Sequence, residues 1–161
     1  MKKSLQNCIK STFITLAISL IATLWIISLF EITIKLLSGM TVSNVIMAIG
    51  YRLLTDLGSV LLIAILLYPL YFIFGYFEKT IAQMAIHVIF SLLVIVQFAM
   101  AKYNLSTLVN FSVDLFGFSF KDMFSNVNVI DSPSIFYFIP FMFFPIFFLL
   151  IEKFLFKLSI K

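Results

Sequence analysis

Few side chains in this 161-residue chain can do chemistry, and several fall at helical spacing. Arg52 and Asp56 are four residues apart, close enough to pair along one helical face or to meet an anionic headgroup. Gln83, His87 and Ser91 also recur every four residues, forming a polar stripe inside an apolar segment. His87 is the sole histidine. A lone intramembrane imidazole can relay protons or bind a ligand. Within the apolar segments, however, the sequence offers it no second histidine and no matching acidic residue, so a packed, hydrogen-bonded histidine is the expected role. Asp114, Lys121 and Asp122 lie in an aromatic-rich stretch, and with Arg52 and Asp56 they are the candidates for interface or headgroup contact. There is no Gly-rich phosphate loop, no Cys or His cluster at metal spacing, and no Ser/His/Asp set in polar sequence. No catalytic, cofactor-binding or metal-ligating residue is therefore assigned. Cys8, the single cysteine, excludes an intrachain disulfide; its juxtamembrane place leaves palmitoylation open beside the simpler reading of an idle residue.

The elements that must position these residues are apolar blocks spanning about residues 13–37, 59–77, 81–101 and 135–151. Each is near the roughly 20 residues an α-helix needs to cross about 30 Å of hydrocarbon. The composition is 63% hydrophobic and 11% charged, and the apolar runs are continuous rather than alternating as in barrel strands. Helices satisfy their own backbone groups in lipid, so the expected fold is all-α: a polytopic membrane helical bundle with four transmembrane helices in one domain. Two less apolar segments, 43–58 and 105–130, are expected at the interface. The Met-Lys-Lys start and apolar run resemble a signal peptide, but the run is longer than usual and lacks a small-residue cleavage site before Glu31, so it reads as the uncleaved first span.

Ser11, Thr15, Ser19 and Thr23 put small residues on one stripe of the first span, which should face another helix. Ser38-Gly39 breaks that helix, and Thr41 or Ser43 can cap the next. Pro69 should kink the second span. The short turn at Glu78-Lys79 makes spans two and three antiparallel neighbours. The Phe-rich last span, with Pro140 and Pro145, reads as a kinked, lipid-facing helix. With the N-terminus inside, Lys2, Lys3, Lys10, Lys79, Lys153, Lys157 and Lys161 are cytoplasmic, against Lys35, Arg52, Lys102 and Lys121 outside. That asymmetry favours both termini inside. The net charge of +4 is explained by membrane lipids with anionic headgroups as partners, without nucleic acid.

Gly50-Tyr51-Arg52-Leu53-Leu54-Thr55-Asp56-Leu57 resembles the Gly-x-Arg-x-Asp-Leu stretch of lipoteichoic-acid-synthase-like proteins, with two residues added between Arg52 and Asp56. Val113-Asp114-Leu115-Phe116-Gly117-Phe118-Ser119-Phe120-Lys121-Asp122 resembles an Ala-Asp-Leu-Phe-Gly-Tyr-Ser-type segment that follows the third span in some bacterial members. The similarity covers about residues 39–151. It implies a membrane region of about five helices preceding an extracellular sulfatase-like domain, which uses a metal-activated Thr to move phosphoglycerol or a related headgroup. On that resemblance the chain is the membrane anchor region of a headgroup transferase in a bacterial cytoplasmic membrane, truncated before a fifth span. It then holds no cofactor of its own: the divalent metal belongs to the catalytic domain, which is the expected partner in cis. The alternative is a small integral-membrane subunit or regulator that binds a partner in the bilayer. A transporter or channel is disfavoured, because intramembrane polar residues are few and no internal repeat is evident.

Overall fold

In a computed structural model the backbone is described for residues 2–38, 44–107 and 135–159, and the side chains for residues 11–38, 44–105 and 139–157. Four helices account for nearly all of it: α1 (Lys2–Leu37), α2 (Val45–Phe77), α3 (Lys79–Thr107) and α4 (Ile135–Ser159). Each contains a segment long and apolar enough to cross a bilayer. The chain is an integral membrane protein with an all-α fold, and no strand occurs among the described residues.

Local sequence accounts for the helix ends. The hydroxyl of Ser38 bonds the Ile34 carbonyl at 2.8 Å, closing the last turn of α1. Asn44 caps α2, its side chain accepting from the Met47 amide at 3.2 Å. Thr41 and Ser43, the caps expected from sequence, lie outside the described residues. Glu78 alone separates α2 from α3, and its amide bonds the Phe74 carbonyl at 2.9 Å. The segment over residues 43–58, expected at the interface and feeding into the second span, is helical from Val45 onward and continuous with that span, and α2 runs unbroken through Pro69. At 1.5 Å per residue α2 is about 50 Å long, enough to cross the bilayer and project beyond it.

Pair contacts set the topology. Phe13 of α1 lies 6.3 Å from Phe90 of α3, ring to ring, and Glu31 of α1 bonds Asn104 of α3, so α1 and α3 run parallel. Phe13 also meets Tyr68 and Tyr71 of α2, while Glu31 meets Arg52, so α2 is antiparallel to α1. Phe98 and Phe90 of α3 meet Phe141 and Phe148 of α4, which makes α4 antiparallel to α3. The bundle is up-down-up-down, with α1 and α3 each packed on the other three helices and α2 and α4 flanking them.

Lipid tails are as apolar as leucine, so close packing and hydrogen bonds, rather than water exclusion, hold such a bundle together. On α1, Leu16, Leu20, Leu24 and Ile27 are buried alongside Thr15, Ser19 and Thr23. The small-polar stripe thus faces inward at Thr15, Ser19 and Thr23, while Ser11 at its start is exposed. Its hydroxyls bond the carbonyl four residues back in their own helix, at 3.0, 2.8 and 2.8 Å, so they pack without leaving a polar group exposed to hydrocarbon. The last helix is less lipid-facing than its composition suggests: Phe144 and Phe148 are buried, and Phe98 sits 4.9 Å from both Phe141 and Phe144. Phe143 and Phe154 do face outward.

Candidate functional site: two intramembrane polar clusters

Among the described residues the bundle buries ionisable groups in two places, at opposite ends of α3. The larger cluster joins the C-terminal part of α1, the N-terminal part of α2 and the C-terminal part of α3. Its hub is Glu31, only 3% exposed. Oε1 accepts from Lys35 Nζ at 2.8 Å and from Asn104 Nδ2 at 2.8 Å, and Oε2 accepts from Arg52 Nη2 at 3.0 Å. Three helices therefore meet on one carboxylate. Glu31 continues the four-residue row of Thr15, Ser19 and Thr23 through Ile27, and Lys35 follows it by one more step.

Asp56, 5% exposed, is the second carboxylate. It accepts from the Ser28 hydroxyl of α1 and from Gln97 Nε2 of α3 at 3.3 Å. Ser28 Oγ also accepts from Arg52 Nε at 3.4 Å. The single hydroxyl proton is given to Asp56 while the oxygen lone pair receives the guanidinium, so Ser28 bridges the two charges. Arg52 and Asp56 are expected to pair with each other or to meet an anionic headgroup; the Arg52 ion pair is with Glu31, and its link to Asp56 passes through α1. Register is the physical reason: antiparallel packing sets Glu31 opposite Arg52 and Ser28 opposite Asp56. Nearby, the Trp25 indole donates to the Leu53 carbonyl at 3.1 Å, a further link between α1 and α2.

Counted at 1.5 Å per residue along the helices from the midpoints of their apolar segments, Ser28, Asp56 and Gln97 lie about 6–8 Å away, and Glu31 and Arg52 about 10–14 Å. Two cations and two carboxylates, Lys35, Arg52, Glu31 and Asp56, balance in charge, which is what a low-dielectric interior demands. The Arg52 side chain retains 33% exposure.

The second cluster lies toward the N-terminal end of α3. His87 Nδ1 is 2.6 Å from the Gln83 carbonyl, and Nε2 is 2.7 Å and 2.9 Å from the two carboxylate oxygens of Glu152 on α4. The expectation that His87 has no acidic counterpart in the spans is overturned. Glu152 stands one residue past the expected end of the last span, but α4 continues through it to Ser159, and the carboxylate turns inward at 7% exposure. A helix can carry that charge because a partner waits on the facing helix. Of the expected stripe, Gln83 contributes its backbone carbonyl, and Ser91 is half-buried one turn beyond His87.

Asp114, Lys121 and Asp122, with the segment 105–130 from residue 108 onward, lie outside the described residues. Among the described residues no three His, Cys, Asp or Glu side chains gather as a metal set. Glu31, Gln97, Asn104 and Glu152 are site residues that sequence reasoning missed. For Glu31 the signal was available, since it falls in the row of the small-polar stripe. For Glu152 only the pairing with His87, 65 residues away, reveals it. No protein-family model, curated protein or solved structure matches the chain, so the two clusters themselves are the ground for a functional reading.

Proposed function

We propose that this chain is the membrane region of a lipid-headgroup transferase of the lipoteichoic-acid-synthase type, holding a catalytic domain in cis at the outer leaflet of a bacterial cytoplasmic membrane. In this reading both termini are cytoplasmic, and the Glu31 cluster lies in the outer half of the bilayer, the side to which the Lys and Arg distribution assigns it. The observation that carries the reading is the convergence of α1, α2 and α3 on Glu31 through Lys35, Arg52 and Asn104. Convergence of that kind favours a rigid platform near the headgroups. It uses Arg52 and Asp56, the charged residues of the stretch that resembles the family. Membrane lipids are the partners in contact, and the divalent metal and nucleophile belong to the catalytic domain.

A chimaera tests this. The membrane region of a lipoteichoic-acid-synthase-like enzyme is replaced by this chain, keeping that enzyme's own fifth helix and catalytic domain, and headgroup transfer from phosphatidylglycerol is followed in cells. Transfer that survives, and falls when Arg52→Gln uncouples the platform, supports the proposal. A chimaera that inserts at normal levels and transfers nothing favours the small integral-membrane subunit instead.

A further inference from the structure

His87 and Glu152 form a closed hydrogen-bonding problem with few solutions. A carbonyl oxygen can only accept, so the 2.6 Å contact with Gln83 requires a proton on Nδ1. Nε2 faces both oxygens of the Glu152 carboxylate at 2.7 and 2.9 Å. Two acceptors at that distance repel, so one further proton must lie between them. It sits either on Nε2, as imidazolium against carboxylate, or on Glu152, as carboxylic acid against neutral imidazole. Both forms are neutral as a pair. Loss of that proton leaves a net negative charge and a lone pair aimed at a carboxylate, both costly where the dielectric is low.

We propose that the His87–Glu152 pair is a proton-binding site inside the membrane, and that its occupancy latches α4 onto α3. Loading takes one proton from water and returns it there on release, with no other reactant. The imidazole is 29% exposed at the surface of the bundle. Other ionisable groups among the described residues stand on the neighbouring helices. On α2, Tyr68 and Tyr71 pack around Phe13 at this level and Glu78 follows the helix. Lys79 opens α3, and Lys153 and Lys157 follow Glu152 on α4. From α1 the level is held by Thr12 and Thr15, while the side chains of Lys10 and Cys8 lie outside the described residues.

Because His87 is the sole histidine, ¹⁵N-histidine labelling of the full chain in lipid nanodiscs gives the signals of a single imidazole. The titration runs from roughly pH 5 to roughly pH 10, spanning the ordinary imidazole range on both sides. In parallel, spin labels at Met84→Cys and Phe154→Cys on a Cys8→Ser background report the α3–α4 distance. The expected result is an Nδ1 that stays protonated throughout, one titration step at Nε2, and an α3–α4 distance that widens with that step. Glu152→Gln supplies an amide donor to a neutral imidazole, so it should stay latched with no Nε2 step at any pH, whereas Glu152→Ala should be unlatched throughout. An unprotonated Nδ1, an absent titration, a distance that ignores the titration, or a Glu152→Gln protein that opens like the wild type would overturn the proposal.

Discussion

Arg52 of α2 donates to Glu31 of α1 across 3.0 Å, and this contact, rather than the neighbouring Asp56 on its own helix, receives the guanidinium. Removing one partner of a fully buried pair costs about 3–5 kcal/mol. Here the cost should be lower, because Arg52 is partly exposed and can turn toward headgroups, and Glu31 retains Lys35 and Asn104. Glu31→Gln and Arg52→Gln are each expected to destabilise by about 1–3 kcal/mol, with a coupling of at least about 0.5 kcal/mol in the double-mutant cycle. Reversible unfolding in mixed micelles measures it; strictly additive effects would contradict the pair.

Ser28 should matter more than the other small hydroxyls of α1. Its oxygen bridges Arg52 and Asp56 between helices, whereas those of Thr15, Ser19 and Thr23 return to their own helix. Interhelical hydrogen bonds in membranes contribute about 0.6 kcal/mol on average and up to about 1.7. Ser28→Ala removes two and is expected to cost about 1–2 kcal/mol, while Ser19→Ala should stay within about 0.5 kcal/mol, measured by the same unfolding assay. Equal effects at the two positions would argue against the bridge.

Phe98 packs against Phe30, Phe141 and Phe144, whereas Phe154 faces outward. In lipid the transfer part of a Phe→Ala penalty largely vanishes and the lost packing remains. Phe98→Ala is expected to cost about 1–3 kcal/mol, below the about 3–5 of a water-soluble core. Phe154→Ala should be near neutral. The contrast is read from the unfolding free energies of the two variants, and a costly Phe154→Ala would mean that its face meets protein rather than lipid.

The fold was legible in the sequence because a bilayer leaves few choices: apolar runs of sufficient length become helices, and the one-residue link at Glu78 forces α2 and α3 to turn back on each other. The inward stripe of α1 was legible from its spacing alone. What escaped was tertiary. An i,i+4 pair such as Arg52 and Asp56 can always be drawn along one helix, but which partner wins depends on what the facing helix sets opposite it, and that register is not written in either helix by itself. Glu152 escapes a reading of the sequence because a charge at the edge of an apolar run marks the end of a span. A carboxylate immediately before Lys153 looks like a boundary until His87 is seen across from it.

Side-specific labelling of single cysteines, introduced on a Cys8→Ser background, tests the four-helix bundle most directly. An up-down-up-down order places Ser4, Glu78 and Ser159 on one side of the membrane and Asn44 on the other. An impermeant maleimide applied to oriented vesicles should label Ser4→Cys, Glu78→Cys and Ser159→Cys from the same face, and Asn44→Cys only from the opposite one. Labelling of any of the first three from the Asn44 side would contradict the bundle and the positions of both polar clusters within it.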